Sequence, residues 1–360
     1  MQRVKDPVLP TLRGRTPSSS PLAGSRRAPG RSLPGTGPRR RRRTWRRPAG
    51  ERGAAAVTLA FLLVPLLGFT AIAVDIGALY ADKARLQVAA DAAALAVARD
   101  CARGACGDMQ ATAQELVDAN AGAGAGAGQP TAAPPVLASS PTRVTVTGSA
   151  PREHWFAPVI GHESSSVSAT ATVTWGAPSG GTAMLPLIFS WCEWQAQTGG
   201  GMPSGTTERT IVLPKKSDTG CTGPSHLFVP GGFGWLESDG GNSCRATTRM
   251  GNRFDSEPGN NPSKGCDPED LRALVGRTVL LPIFDESGGS GSGAWYRVYG
   301  YAAFTITGYH FAGQYSWDKP CGGSQRCIRG YFTRFVDASG AFDTSPDAPD
   351  LGAAILRLIR

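Results

Sequence analysis

"ERGAAAVTLAFLLVPLLGFTAIAVDIGALYADKARLQVAADAAALAVARD", residues 51–100, decides how the rest of the chain is read. Ala54 to Val74 gives 21 residues without a charge among them. At 1.5 Å per residue they reach about 31 Å, the thickness of a bilayer's hydrocarbon core. Pro65 removes one backbone hydrogen bond within the run, which membrane helices tolerate. A cleaved secretory signal is the main rival reading. The apolar core is long for a signal, and no Ala-x-Ala site precedes a change of pattern, so retention of the span is expected.

Charge orients the span. The 360-residue chain carries a formal +9, yet 15 of its 37 basic residues lie in residues 1–52 beside only Asp6 and Glu51, which leaves the remainder slightly acidic. "PRRRRRTWRRPAG" (Pro38 to Gly50) and the Pro, Gly and Ser around it lack the apolar content that offsets the entropy of ordering. Residues 1–52 therefore read as a disordered basic tail. Arginine runs bind phosphates, nucleic acid included. Beside a span, the simpler role is to hold that flank in the cytoplasm and attract anionic lipid headgroups. The expected protein is a single-pass membrane protein with a cytoplasmic N-terminus and no nucleic-acid partner.

The cysteines agree with that orientation. Cys101, Cys106, Cys192, Cys221, Cys244, Cys266, Cys321 and Cys327 all follow the span, and their number is even. Outside the membrane such residues oxidise. Pairing by proximity gives 101–106, 192–221, 244–266 and 321–327, although spacing alone does not fix connectivity. With no paired CxxC spacing and only four histidines, neither a metal nor another cofactor is expected.

From Ile76 to Arg99 only Gly77 interrupts a helical pattern. Leu79, Leu86, Ala90, Ala93 and Val97 form one stripe, with Val88 and Leu95 opposite. Two apolar faces on a small-residue helix suit packing against neighbouring helices, including self-association of the stalk. The alternative is packing on the chain's own globular region. Asp75, at the outer end of the span, either pairs with a basic group on a neighbouring helix or reaches headgroup water.

Arg52–Gly53 before the span, Pro65 within it, Val74-Asp75-x-Gly77 at its exit and the run from Leu86-Gln87 through Asp91 to Ala96 resemble the N-terminal segment of Tad-type, TadE/TadG-like Flp pilus-assembly proteins. "RVTVTGSAPREHWFAPVIGHESSSVSATATVTW" (Arg143 to Trp175) resembles the strand, aromatic turn and strand that follow in this family. The region beyond Trp175 resembles the cysteine-containing part of actinobacterial members. The resemblance implies an assembly protein whose partners are membrane lipid and other pilus-assembly or pilin-like membrane proteins. Its interaction positions would be Asp75, Leu79, Leu86, Gln87, Ala90, Asp91, Ala93 and Val97. Pilins cut by prepilin peptidase keep a glutamate where this chain has Thr58, so pilin-like processing is not expected. Larger members carry a von Willebrand A domain with an Asp-x-Ser-x-Ser metal site. Asp285 and Ser287 are followed by Gly289, and Asp337 and Ser339 by Ala341; both read as loops.

The expected fold class is α+β: a transmembrane helix continuing into a stalk (53–100), then a disulfide-stabilised β-rich extracytoplasmic domain. A short helix and a Gly/Ala/Pro linker fill 101–135. A strand pair covers 136–178, a cysteine-containing β-rich domain 179–345, and a C-terminal segment 346–360. "MLPLIFSWCEW", "RTIVLP" and "GYFTRFV" read as strands. "TVLLPIFDESGGSGSGAWYRVYGYAAFTITGYHF" reads as one long hairpin. "DPEDLRALVG" (Asp267 to Gly276) reads as a short capped helix.

No G-x-S-x-G, H-E-x-x-H or P-loop motif is present. "PGGFGWL" (Pro230 to Leu236) reads as a turn that presents Phe233 and Trp235 to a core. His154, His162, His226 and His310 have no partner fixed by spacing. No catalytic residue is assigned. Two other functions are weighed: a wall- or ligand-binding module using exposed Trp191, Trp194 and Trp235, and an ectoenzyme, which would need a pocket holding a histidine beside a carboxylate.

Overall fold

The computed structural model describes residues 51–122, 128–213 and 220–359. Residues 1–50 of the basic tail lie outside them, as does the centre of the Gly/Ala tract, while Glu51 and Arg52, read as the end of the tail, belong to the first helix. The chain divides into Met1–Leu59, whose described part is the start of the first helix, and Ala60–Arg360, which holds all the remaining structure.

Helix α1 runs unbroken from Glu51 to Ala102, through Pro65. Its residues from Val57 to Ile76 are largely exposed, whereas Leu86, Ala89, Ala90, Ala93, Ala94, Val97 and Ala98 are fully buried. The Cys101–Cys106 disulfide closes the turn that follows. Asp108 then accepts the Ala111 N–H at 3.0 Å and starts helix α2, Met109–Ala121.

Two helices cover one face of a six-stranded sheet. In chain order its first strands are β1 (Thr131–Ala132), β2 (Val136–Ser139), β3 (Thr142–Glu153) and β4 (Ser164–Gly176). Alternation on β3 turns Val144, Val146, Gly148, Ala150 and Arg152 inward, as period-two side chains require. Small residues on that face (Ala150, Ala169, Ala171) share one buried cluster with the alanines of α1, and Gly148 lies against Leu86 and Val117. The opposite face pairs threonines across the strands: Thr145–Thr172 and Thr147–Thr170 hydroxyls lie 2.9 Å apart.

The chain then builds β5 (Pro178–Ala183), β6 (Leu187–Ser190), β7 (Arg209–Leu213), β8 (Phe233–Trp235), β9 (Ala246–Arg249) and β10 (Arg253–Asp255). Next come β11 (Thr278–Gly288), β12 (Trp295–His310), β13 (Ser316–Trp317) and β14 (Arg326–Thr333). The long hairpin is β11 with β12, paired from Thr278↔Thr305 to Gly288↔Trp295 with irregularities between Ile283 and Glu286. It forms the centre of a second sheet, ordered β7-β14-β12-β11-β6-β8. Phe189, Phe233, Phe304, Phe311, Phe332 and Trp235 interlock in its core, mostly edge to face. Gly234 leaves room there for the Tyr296 hydroxyl, which a side chain would displace.

Three expectations need correction. "MLPLIFSWCEW" is not one strand: the Ser190 hydroxyl accepts the Cys192 N–H at 3.1 Å and turns the chain into helix α3, Trp191–Thr198. Helix α4, Pro268–Ala273, is shorter than its signals suggested; the Asp267 N–H donates to Asp270 at 2.9 Å at its start. "GYFTRFV" is split between sheets. After β14 the chain crosses to β15 (Phe335–Asp337), passes through β16 (Phe342–Thr344) and returns as β17 (Ala353–Ile359).

Strands β15 and β17 complete the first sheet, in the order β1-β3-β4-β17-β15 with β2 on β3. The 346–360 segment thus belongs with the 136–178 strands rather than standing apart. Its register runs from Ile355↔Gly176 to Ile359↔Thr172. Ala353 and Ile355 point into the aromatic core, and Leu356 into the helix-covered core. One strand therefore closes both.

Cys192–Cys221, Cys244–Cys266 and Cys321–Cys327 are joined as disulfides. With Cys101–Cys106 they tie together segments rich in turns and poor in core-forming residues.

Candidate functional site

Two buried carboxylates stand where α1 leaves its apolar run. Asp75 and Asp82 sit two turns apart on one face, a spacing that brings both against the same neighbour. Asp75 accepts three successive backbone N–H groups, from Trp155 at 3.0 Å, Phe156 at 3.0 Å and Ala157 at 2.8 Å. These belong to the turn between β3 and β4, where Ala157–Ile160 form one turn of 3-10 helix. A carboxylate facing converging N–H groups at the start of a helical turn is a favourable charge-assisted arrangement.

Asp82 is buried and paired with Arg152 of β3 at 2.9 Å; the two side chains are 7% and 8% exposed. The second arginine near Asp82, Arg85, lies 3.5 Å away and is mostly in solvent. The Arg152 guanidinium also lies 5.7 Å from the centre of the Trp155 ring. Further along, Gln87 donates to Asp91 at 2.8 Å and to the Thr170 carbonyl at 3.2 Å, tying α1 to β4.

Each interaction position read from the sequence is therefore engaged within the chain. Leu86, Ala90, Ala93 and Val97 are buried against the chain's own sheet, and Leu79 packs beside them. The stripe assigned to partner helices is covered by β3, β4 and α2, because the sheet face offers small side chains that complement it. Asp75 bonds to a loop of its own chain instead of a neighbour's cation. Asp82 and Arg152 were absent from that set. Asp82 falls between Leu79 and Leu86 on the same stripe, and an acid inside an apolar stripe demands a buried counter-charge.

Trp194 and Trp235 are buried and Trp191 is half-buried against the same core, so these three do not form an exposed recognition surface. They pack inward because Ser190 starts a helix there and β8 lies beside β6. Exposed tryptophan is found at Trp155 and Trp317.

The histidines stay apart. His154 Nε2 lies 2.8 Å from Ser165 Oγ, and His310 Nδ1 lies 3.2 Å from Ser316 Oγ. Burial, with Lys319 and Arg326 nearby, holds His310 below the usual imidazole range. Burial pushes Asp285 above the usual carboxylate range against the pull of Arg297, its ion-pair partner at 2.8 Å. Asp337 accepts the Ser339 hydroxyl at 2.7 Å within one turn. Among the described residues, no group of three His, Cys, Asp or Glu converges in metal-binding geometry. An open depression lined by Asn261, Pro262, Pro268, Phe311 and Tyr315 holds neither a histidine nor a carboxylate.

One helix among the described residues is long and apolar enough to cross a membrane. Together with disulfides that all follow its apolar run, this fits a membrane-anchored extracytoplasmic domain. No curated protein and no solved structure matches the chain. One family model does, over residues 53–100: Tad, described as "Putative Flp pilus-assembly TadE/G-like". The match spans α1 almost end to end, and over that helix the chain is similar to TadE/G-like Flp pilus-assembly proteins.

Proposed function

We propose that this protein is a single-pass, membrane-anchored structural component of a Tad (Flp-type) pilus or related surface-secretion apparatus. Its N-terminus lies in the cytoplasm and its β-rich domain outside. The observation that carries this reading is the division of α1 into two chemically different halves within a Tad segment. The outer half is dry against the chain's own sheet, while apolar residues such as Phe61, Val64, Leu66 and Phe69 face outward with no protein over them. Only lipid or other helices can cover such a surface favourably. Partner packing therefore falls to the membrane half, since the stalk stripe is already occupied.

A photocrosslinker placed at Phe69 in cells that express the assembly system tests this. Adducts with other pilus-assembly membrane proteins, identified by mass spectrometry, are the expected result. The same crosslinker at Leu86 should yield only links within the chain. Phe69 adducts restricted to lipid would remove the assembly role.

A further inference from the structure

The turn between β3 and β4 carries Trp155, Phe156 and Val159, which are 57%, 46% and 89% exposed. Three apolar side chains at one tip are costly in water, and such a patch marks an interaction site. The Asp75 carboxylate holds the backbone of this tip through the three N–H bonds of 2.8–3.0 Å. Asp75 is also the first residue after the uncharged run that ends at Val74. Resting on the membrane-anchor reading, we infer that Trp155, Phe156 and Val159 insert into the lipid surface where the span emerges, giving the outer domain a second membrane contact.

Two observations commit the patch to lipid. Its backbone is bonded to Asp75, whose chain neighbours Val74 and Ile76, like Ile72 before them, are exposed apolar residues of α1. Its leading residue is a tryptophan, whose amphipathic ring is favoured at the boundary between acyl chains and headgroups. The other end of β3 is the internal contrast. Val136 of β2 pairs with Thr145, about 26 Å along β3 from its end at Glu153.

Single cysteines at Val159, Phe61 and Val136, labelled with an environment-sensitive fluorophore, test this in the full chain. The vesicles are phosphatidylcholine and phosphatidylglycerol, with bromines either near the headgroup or deep in the acyl chains. The Val159→Cys probe should shift to the blue and be quenched by shallow bromines. The Phe61→Cys probe should be quenched by deep bromines, and the Val136→Cys probe by neither. A Val159 probe that stays unquenched while the Phe61 probe is quenched overturns the inference and leaves the anchor standing. Failure of both removes the anchor too. A Val159 probe shielded without lipid quenching assigns the patch to a protein, which also overturns the inference. Trp155→Phe gives a readout without an added thiol: lipid quenching of tryptophan emission should fall relative to wild type, and an unchanged value counts against insertion.

Discussion

Asp82 and Arg152 face each other at 2.9 Å although 70 residues separate them. Each is the other's means of tolerating burial. Asp82 has the partly solvated Arg85 as a weaker second neighbour, and Arg152 has the Trp155 ring.

Arg152→Ala or Asp82→Ala leaves one buried ion uncompensated and should cost about 3–5 kcal/mol. The double variant should cost less than the sum of the two. Arg85→Ala, which breaks a mostly exposed pair, should stay below about 1 kcal/mol. Denaturant unfolding of the full chain in detergent, followed by tryptophan emission, reads all four. Additive single effects would mean that the pair is not coupled.

Asp75→Ala removes the acceptor of three consecutive N–H groups. Hydrogen exchange at Trp155, Phe156 and Ala157 should accelerate, while amides in the middle of β3 and β4 keep their protection. Uniform acceleration along the hairpin would show that Asp75 supports the whole sheet rather than its tip.

Size decides the tolerance of the helix–sheet seam. A methyl at Gly148 would sit 3.6 Å from Leu86 and Val117, ordinary contact. Gly148→Ala should therefore be neutral or slightly stabilising. Ala93 is fully buried, so Ala93→Leu should overpack the seam and cost about 1–3 kcal/mol. Equal melting temperatures for the two variants would contradict close packing of α1 on the sheet.

Burial pushes the Tyr301 phenol up to about 12 from its ordinary 10.0, and Tyr296, Tyr299 and Tyr309 shift the same way. A folded value above the unfolded one means that the stabilisation is complete below pH 10. It is lost as pH rises towards 12, because the unfolded chain ionises first. Tyrosinate absorbance should lag a denatured control, then rise together with unfolding. Superimposed titration curves would show that these phenols reach water.

The sequence displayed local order more clearly than long-range order. The α1 pattern and the hairpins β3–β4 and β11–β12 rest on neighbouring residues and repeat at short periods, whereas Phe233 and Trp235, read as part of a turn, form strand β8 beside β6. What lay hidden depends on distant partners. Nothing local in Ala353–Ile359 says that it pairs with β4 across nearly two hundred residues, and Ser190 interrupts a strand-like run through a single hydroxyl. The stripe on α1 was visible, but its occupant was not. An alanine-rich surface suits a neighbouring helix and a small-residue sheet equally, and the telltale was Asp82, a charge that needed Arg152.

The exposed apolar run of α1 and the residues buried against the sheet belong to one unbroken helix, with no loop between them. Under the proposed function that continuity removes any swivel: rotation of the apolar run within lipid would be carried straight into the stalk residues and the sheet packed on them, without a hinge to absorb it.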